Sequence, residues 1–434
     1  MKPGFFTKER LVASEGTSRW WVAPAALAIH LSIGQAYAFS VFNLPLSQAG
    51  GWKLSELGWI FTCAIGSLGV SAALFGQWLE RVGPRVSGLV AAACFSSGLF
   101  IAALGVELRA LPLLIAGYGV VGGIGLGLGY ITPVSTLIKW FPDRRGMATG
   151  IAIMGFGGGA IIAAPLSRLL MKHLPLSGTF AVLGLLYLVL MVAGALGFRT
   201  PPPSFAPAGS APAAAQAEGF TPAEAVRTRQ FWLLWIVLCM NVTAGIGVLG
   251  QASAMIQEVF KGGIDADAAA TFVSALSASN MIGRFVWASL SDRLGRKLTY
   301  GIFFSLGPIL YFAVPLAGAA QSVTAFVACF CVILTMYGGG FATIPAYLSD
   351  LFGTRFVSAI HGRLLTAWSV AGVLGPVLVN YLREQQIASG VPKADAYDVT
   401  MRLMAVLLLV GFTANLIVRK PSRDFSRPDG IVPA

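Results

Sequence analysis

The chain has 434 residues, 56% of them apolar and only 11% charged, with a mean hydropathy of +0.76. This excludes a water-soluble enzyme, whose composition averages about 25% charged residues. Lys and Arg number 30 against 18 Asp and Glu, a net charge of +12, which in a soluble chain would point to nucleic acid; here the placement of the charges explains the excess first.

The charges are fenced off from long apolar runs. No Asp, Glu, Lys or Arg occurs from Trp20 to Trp52, Leu57 to Leu79, Val86 to Val106, Ala110 to Ile138, Gly146 to Ser167 or His173 to Phe198. Each run is long enough to cross a bilayer, which takes about 20 residues at 1.5 Å rise. The first begins too late and runs too long for a cleaved signal peptide, and none is expected. A segment rich in Pro, Ala, Gly and Ser follows from Arg199 to Arg229, with little to bury. Beyond it lie Gln230 to Gln257, Ala268 to Ser291 broken only by Arg284, Leu298 to Ser349, Leu364 to Leu382, and a shorter run from Leu403 to Val418. Leu298 to Ser349 is too long for one helix and breaks near Pro315 to Gln321. The reading is an all-α membrane protein of twelve transmembrane helices in two six-helix bundles. Residues 20–198 form the first bundle, 199–229 a cytoplasmic linker and 230–419 the second bundle, with cytoplasmic ends at 1–19 and 420–434.

With both termini and the linker inside, 21 of the 30 basic residues fall on the cytoplasmic side, eight on the other, and one, Arg284, within a span. This is the positive-inside asymmetry, so the net charge describes topology and nucleic acid is not an expected partner. All five cysteines fall within spans, in no disulfide framework. His30, His173 and His361 share no ligand spacing with carboxylates, so no metal or cofactor is expected.

The halves repeat at one constant offset. Glu80-Arg81-Val82-Gly83 falls on Asp292-Arg293-Leu294-Gly295, and the same step carries Pro133 onto Pro345 and Gly150 onto Gly362. Parallel six-helix repeats imply two bundles about an axis along the membrane normal, with a cavity between them. The loop motif, best developed as Ser291-Asp292-Arg293-Leu294-Gly295-Arg296-Lys297, resembles the signature of the major facilitator superfamily. The resemblance implies that fold, and a cytoplasmic latch in which Glu80, Arg81, Asp292, Arg293 and Arg296 tie neighbouring helix ends, with tight turns at Gly83 and Gly295. Pro84 and Glu80 depart from the pattern and weaken the first copy.

Gly34-Gln35-Ala36-Tyr37-Ala38-Phe39-Ser40-Val41-Phe42, the Gly-rich run Gly117 to Tyr130, and Lys139-Trp140-Phe141-Pro142-Asp143-Arg144-Arg145-Gly146 resemble the oxalate/formate antiporter family, neighbour to the monocarboxylate transporters. This resemblance implies alternating-access transport of small carboxylates, not an enzymatic activity.

Arg284 gives that expectation an atom. A charge in a span costs about 2.5–3.5 kcal/mol on insertion scales, and no Asp or Glu lies at its depth to pair with it. A cavity guanidinium fits a carboxylate bidentately; the alternative is a tie to Asn280 or to backbone carbonyls. Asn280, Tyr337 and Tyr130 lie near the same level. The resemblance assigns Asn280, Arg284, Tyr337, Phe341 and Tyr130 to the substrate, with Phe341 and Phe39 walling its alkyl part. Trp368 stands where oxalate-carrying relatives place Lys, leaving one cavity cation, which suits a monoanion such as lactate, pyruvate or formate better than a dianion. Asn280 stands where animal monocarboxylate transporters carry Asp, leaving His30 as the candidate proton carrier; packing by a neutral His30 is the competing reading. The expected partners are thus a small carboxylate anion, membrane lipid and a proton as candidate co-substrate, for a monomer in a bacterial inner membrane. The glycines of the fourth, fifth, tenth and eleventh spans are assigned to helix packing and rocking.

Overall fold

The computed structural model describes residues 11–202, 205, 219–261, 263–353 and 356–421. The first ten residues, most of the linker and the tail from 422 lie outside the described residues. Within them the regular secondary structure is helical, apart from two isolated bridges, Val12 with Thr200 and Gly219 with Gly353.

In the first half, α1 begins as Val22–Ile33, tightens into a 3-10 segment Gly34–Phe42 and ends as Asn43–Gly50. Next come α2 (Leu54–Val82), α3 (Pro84–Glu107), α4 (Leu111–Trp140, with a π-helical stretch Ile115–Gly122), α5 (Arg145–His173) and α6 (Leu176–Gly197). A short linker helix, Pro222–Arg227, precedes α7 (Arg229–Val259), α8 (Ala266–Leu294), α9 (Arg296–Ala319) and α10 (Val323–Phe352). The helix Val357–Leu364 leads into α11 (Thr366–Ala388), and α12 is Asp398–Ile417. The long apolar stretch after Leu298 divides at Ala320–Ser322, within one turn of the expected break.

Eleven helical units among the described residues are long and apolar enough to span a membrane. The twelfth, α8, is 29 residues long. Asn280, Arg284 and five serines dilute its apolarity, and this helix packs against both α10 and α5.

The repeat is visible in the backbone. Gly83 joins α2 to α3 at φ +84°, and Gly295 joins α8 to α9 at the same angle, a left-handed conformation that L side chains adopt only at a cost. The halves meet chiefly where α5 packs on α8 and where α11 with its lead-in packs on α2. At those crossings a Cβ on Gly150 would lie 3.1 Å from the Arg284 carbonyl oxygen, and one on Gly362 would lie 2.6 Å from that of Ala72. Ala72 and Arg284 are themselves counterparts at the repeat offset, so each half presents the same backbone position to a glycine of the other.

Candidate functional site

Arg284 projects from the middle of α8 into protein and is 0% exposed. Its Nε donates to Asn280 Oδ1 one turn earlier at 3.0 Å, its Nη1 to the Ile153 carbonyl of α5 at 3.0 Å, and its Nη2 to Tyr37 Oη of α1 at 3.4 Å. Phe156 and Phe341 place their rings 5.5 and 5.2 Å from the guanidinium carbon. These neutral oxygens and π-faces solvate the cation without neutralising it. Both alternative ties read from the sequence therefore exist, yet among the described residues no carboxylate pairs with Arg284.

Aromatic rings close around it. Tyr37 and Tyr337 share a hydrogen bond at 2.8 Å. Tyr337 meets Phe341, Phe341 meets Trp368 at 4.4 Å, and Trp368 meets Tyr130 and Phe156 at 5.1 and 5.5 Å. Three polar atoms of this shell, Asn280 Nδ2, Trp368 Nε1 and Tyr130 Oη, are buried without a hydrogen-bond partner. All three can donate, and a buried donor left unpaired costs about 1–3 kcal/mol. The acceptors of the shell are taken by Arg284 and what is left unpaired can donate, the complement of a carboxylate.

Tyr130 also contacts two histidines. Its ring lies 5.6 Å from that of His30 and 6.2 Å from that of His361. His30 is buried, with Nδ1 facing the Ala152 carbonyl and Nε2 facing the Tyr130 carbonyl at 3.2 Å. Ala152 and Ile153 are adjacent on α5, so one helical turn accepts from both His30 and Arg284. Gly157, on the next turn, leaves room for this: a Cβ there would lie 2.8 Å from Arg284 Nε.

Arg284, Asn280, Tyr337, Phe341, Tyr130 and Trp368 come together, with His30 beside them. Phe39 stands apart, packed against Tyr118 at 4.6 Å and close to Phe42, because the 3-10 segment winds three residues per turn and turns Tyr37, not Phe39, toward α8. The residues missed by sequence reasoning are Tyr37, Phe156, the Ile153 carbonyl and His361. Tyr37 lies inside the quoted Gly34–Phe42 run; Phe156 had a signal too, since it is the repeat counterpart of Trp368 and packs against it. At the linker end, Lys139 pairs with Glu80 at 2.8 Å, joining α4 to α2, while Arg296 pairs with Asp292 and Asp350. These ties stay within a half, and Arg81 and Arg293 are exposed with no ion pair among the described residues. At the opposite end Arg383 binds Glu258, whose Oε2 also accepts from Tyr397 at 2.7 Å; burial, then the Glu258 charge, push the Tyr397 phenol up.

Two six-helix bundles packed about a buried arginine that has no ion pair among the described residues define a membrane transport protein of the two-bundle class. Residues 25–376 match the Major Facilitator Superfamily, and the chain belongs to that superfamily. It is 26% identical over 363 residues to the oxalate:formate antiporter of Oxalobacter formigenes, covering 82% of this chain and 83% of that one. It is also 26% identical over 382 residues to human monocarboxylate transporter 11, covering 86% of this chain and 78% of the relative. A bacterial homolog of the human lysosomal transporter Spinster, solved inward-facing and unoccupied, superposes with a TM-score of 0.65 at 15% identity over 94% of this chain and 98% of its own, a likeness of fold.

Proposed function

We propose that the chain is a secondary transporter of small monocarboxylates, working by alternating access between bundles divided at the 199–229 linker, with Arg284 holding the carboxylate. The observation that carries this reading is Arg284 itself: a fully buried guanidinium that has no carboxylate partner among the described residues, inside a shell of unpaired donors. A bound carboxylate supplies the missing negative charge and accepts from Asn280, Tyr130 or Trp368. The cargoes in the relatives' names, oxalate, formate and monocarboxylates, share that group. The basic residues of the linker end support placing that end and both termini in the cytoplasm, with the chain a monomer in a bacterial inner membrane.

His30 is the candidate proton site. A neutral imidazole donates from one nitrogen only, whereas two carbonyls face this ring, so only the imidazolium satisfies both. Anion binding at Arg284 removes the repulsion between the two cations, which favours loading both together.

Counterflow of labelled lactate or formate in proteoliposomes tests the assignment. Arg284→Gln is expected to lower exchange at least about 100-fold, the scale of losing a buried charge-assisted contact, and Arg284→Lys to recover little of it, because an ammonium lacks the planar fork. Near-normal exchange in both variants would sink the site. Binding without any exchange by the parent protein would mark a receptor.

A further inference from the structure

Among the described residues, one ion pair joins the two halves. Arg168 of α5 donates to Asp267 in the first turn of α8; the other ion pairs all lie within a half. The pair sits at the end of the molecule opposite the linker, and it is open to water, with side-chain exposures of 32% and 73%. Such a pair is weak and screened by salt. Opening that end separates α5 from α8 and must break it.

Arg168 does more than bridge. With Lys172, one turn further on α5, it lines a groove of about 640 Å³ between α1, α5, α7 and α8, whose polar lining includes Ser40 and Gln257. Ser40 also lines a second, much smaller cavity on the other side of α1, and that cavity reaches Tyr37, the residue that accepts from Arg284. The Ser40 hydroxyl is buried without a partner. A chain of lining residues therefore runs from two cations at the far end, past Ser40 and Tyr37, to the third cation in the centre. Glu258, an acid on α7 near this end, is occupied by Arg383.

We propose that Arg168 and Lys172 form an outer capture site for the transported carboxylate, and that Asp267 is its built-in competitor. The Asp267 side chain carries the same functional group as the proposed cargo, so an arriving carboxylate can replace it on Arg168. That exchange captures the anion and releases α8 from α5 in one event. With Asp267 displaced, Arg168 and Lys172 face one monoanion, and the entrance favours anions before any reaches Arg284. The proposal rests on the carboxylate reading of the central site.

The test combines labelling of Ser40→Cys by a membrane-impermeant maleimide, offered to each side of the membrane in turn, with the half-saturation of lactate exchange. The parent without Ser40→Cys sets the labelling background. Asp267→Asn should raise labelling about two- to fivefold, the range of an exposed ion pair, and lower the half-saturation. Arg168→Gln should raise labelling equally but raise the half-saturation, more at low ionic strength than at high. The charge swap, Arg168→Asp with Asp267→Arg, should return labelling to the parental rate while leaving capture impaired. Arg284→Gln should abolish exchange yet leave the labelling response to Asp267→Asn intact, which separates failure of this entrance from failure of the central site. Labelling unchanged in both single variants, or half-saturation moving the same way in both, overturns the proposal.

Discussion

The contact of Gly150 with the backbone of Arg284 repeats, one repeat offset away, as the contact of Gly362 with the backbone of Ala72. The two crossings pair corresponding helices and corresponding glycines of the repeat, but one carries a guanidinium and the other a methyl group. The difference extends outward. Asn280 falls on Leu68 and Tyr337 on Gly125, so the first half has no polar copy of the site at these positions. What it contributes instead is Tyr37, the Ile153 carbonyl and the rings of Tyr130 and Phe156. The duplicated scaffold supplies two equivalent interfaces, and side-chain chemistry singles out one of them as the proposed binding site. A single cation off the pseudo-axis suits a small asymmetric anion whose charge lies at one end.

The most severe way to break this comparison is to move the charge. Arg284→Ala combined with Ala72→Arg keeps the number of buried cations at the two crossings but takes the cation away from Asn280, Tyr37 and the unpaired donors. Lactate counterflow is expected to stay at least about 100-fold below the parent, as for Arg284→Ala alone. Thermal midpoints should fall as well, since a buried charge without partners costs about 3–5 kcal/mol. Recovery of counterflow to within tenfold of the parent would mean that the two crossings are interchangeable.

A smaller effect sharpens the asymmetry. Trp368 and Phe156 are counterparts in the repeat and touch each other at 5.5 Å, with the Trp368 indole N–H unpaired and close to the Tyr130 ring. Trp368→Lys places a second cation on the second half's side of the site. The ratio of oxalate to lactate exchange should rise about tenfold, the effect of roughly 1.4 kcal/mol from one added charge contact. An unchanged ratio would remove the argument that the number of cavity cations sets the charge of the cargo.

Much of this was legible in the sequence, for identifiable reasons. Span lengths follow from the bilayer, so the helices emerged from charge-free runs. Arg284 stood out because a lone charge in an apolar run has one physical meaning, an internal polar contact. The glycine turns at 83 and 295 were readable because the loop motif recurs at the repeat offset. Packing direction was not readable. Phe39 was expected at the cargo and lies against Tyr118, because a 3-10 segment inside α1 changes which face points inward and no local residue announces that change. Contacts to carbonyls were invisible for a related reason: Ile153 and Ala152 act through backbone oxygens, which every residue carries. His30 and His361 stand in different halves of the chain and become neighbours of one ring only through the packing of α4 between them.

The smallest expected effect concerns the backbone of the two crossings. A methyl group on Gly362 would lie 2.6 Å from the Ala72 oxygen, closer than real Cβ atoms come to a carbonyl, and neither partner is a flexible side chain. The lead-in helix before α11 would have to shift away from α2. On Gly150 the same methyl meets the Arg284 oxygen at 3.1 Å and Ala288 Cβ and Phe285 Cα at 3.4 Å, so a displacement of a few tenths of an ångström is enough. Overpacking of this kind costs about 1–3 kcal/mol where the backbone cannot yield. Gly362→Ala is therefore expected to lower the thermal midpoint in detergent more than Gly150→Ala, and to slow lactate exchange by several-fold without changing its half-saturation, because the strained contact joins the halves and touches no cargo. Gly150→Ala should do the reverse in kind. Its backbone neighbour carries Arg284, so even a small shift displaces the guanidinium and raises half-saturation with little loss of stability. If both variants change only stability, Arg284 is insulated from the crossing that carries it. If the midpoints fall in the opposite order, α2 yields more readily than α8, and the equivalence of the two interfaces fails at the level of packing.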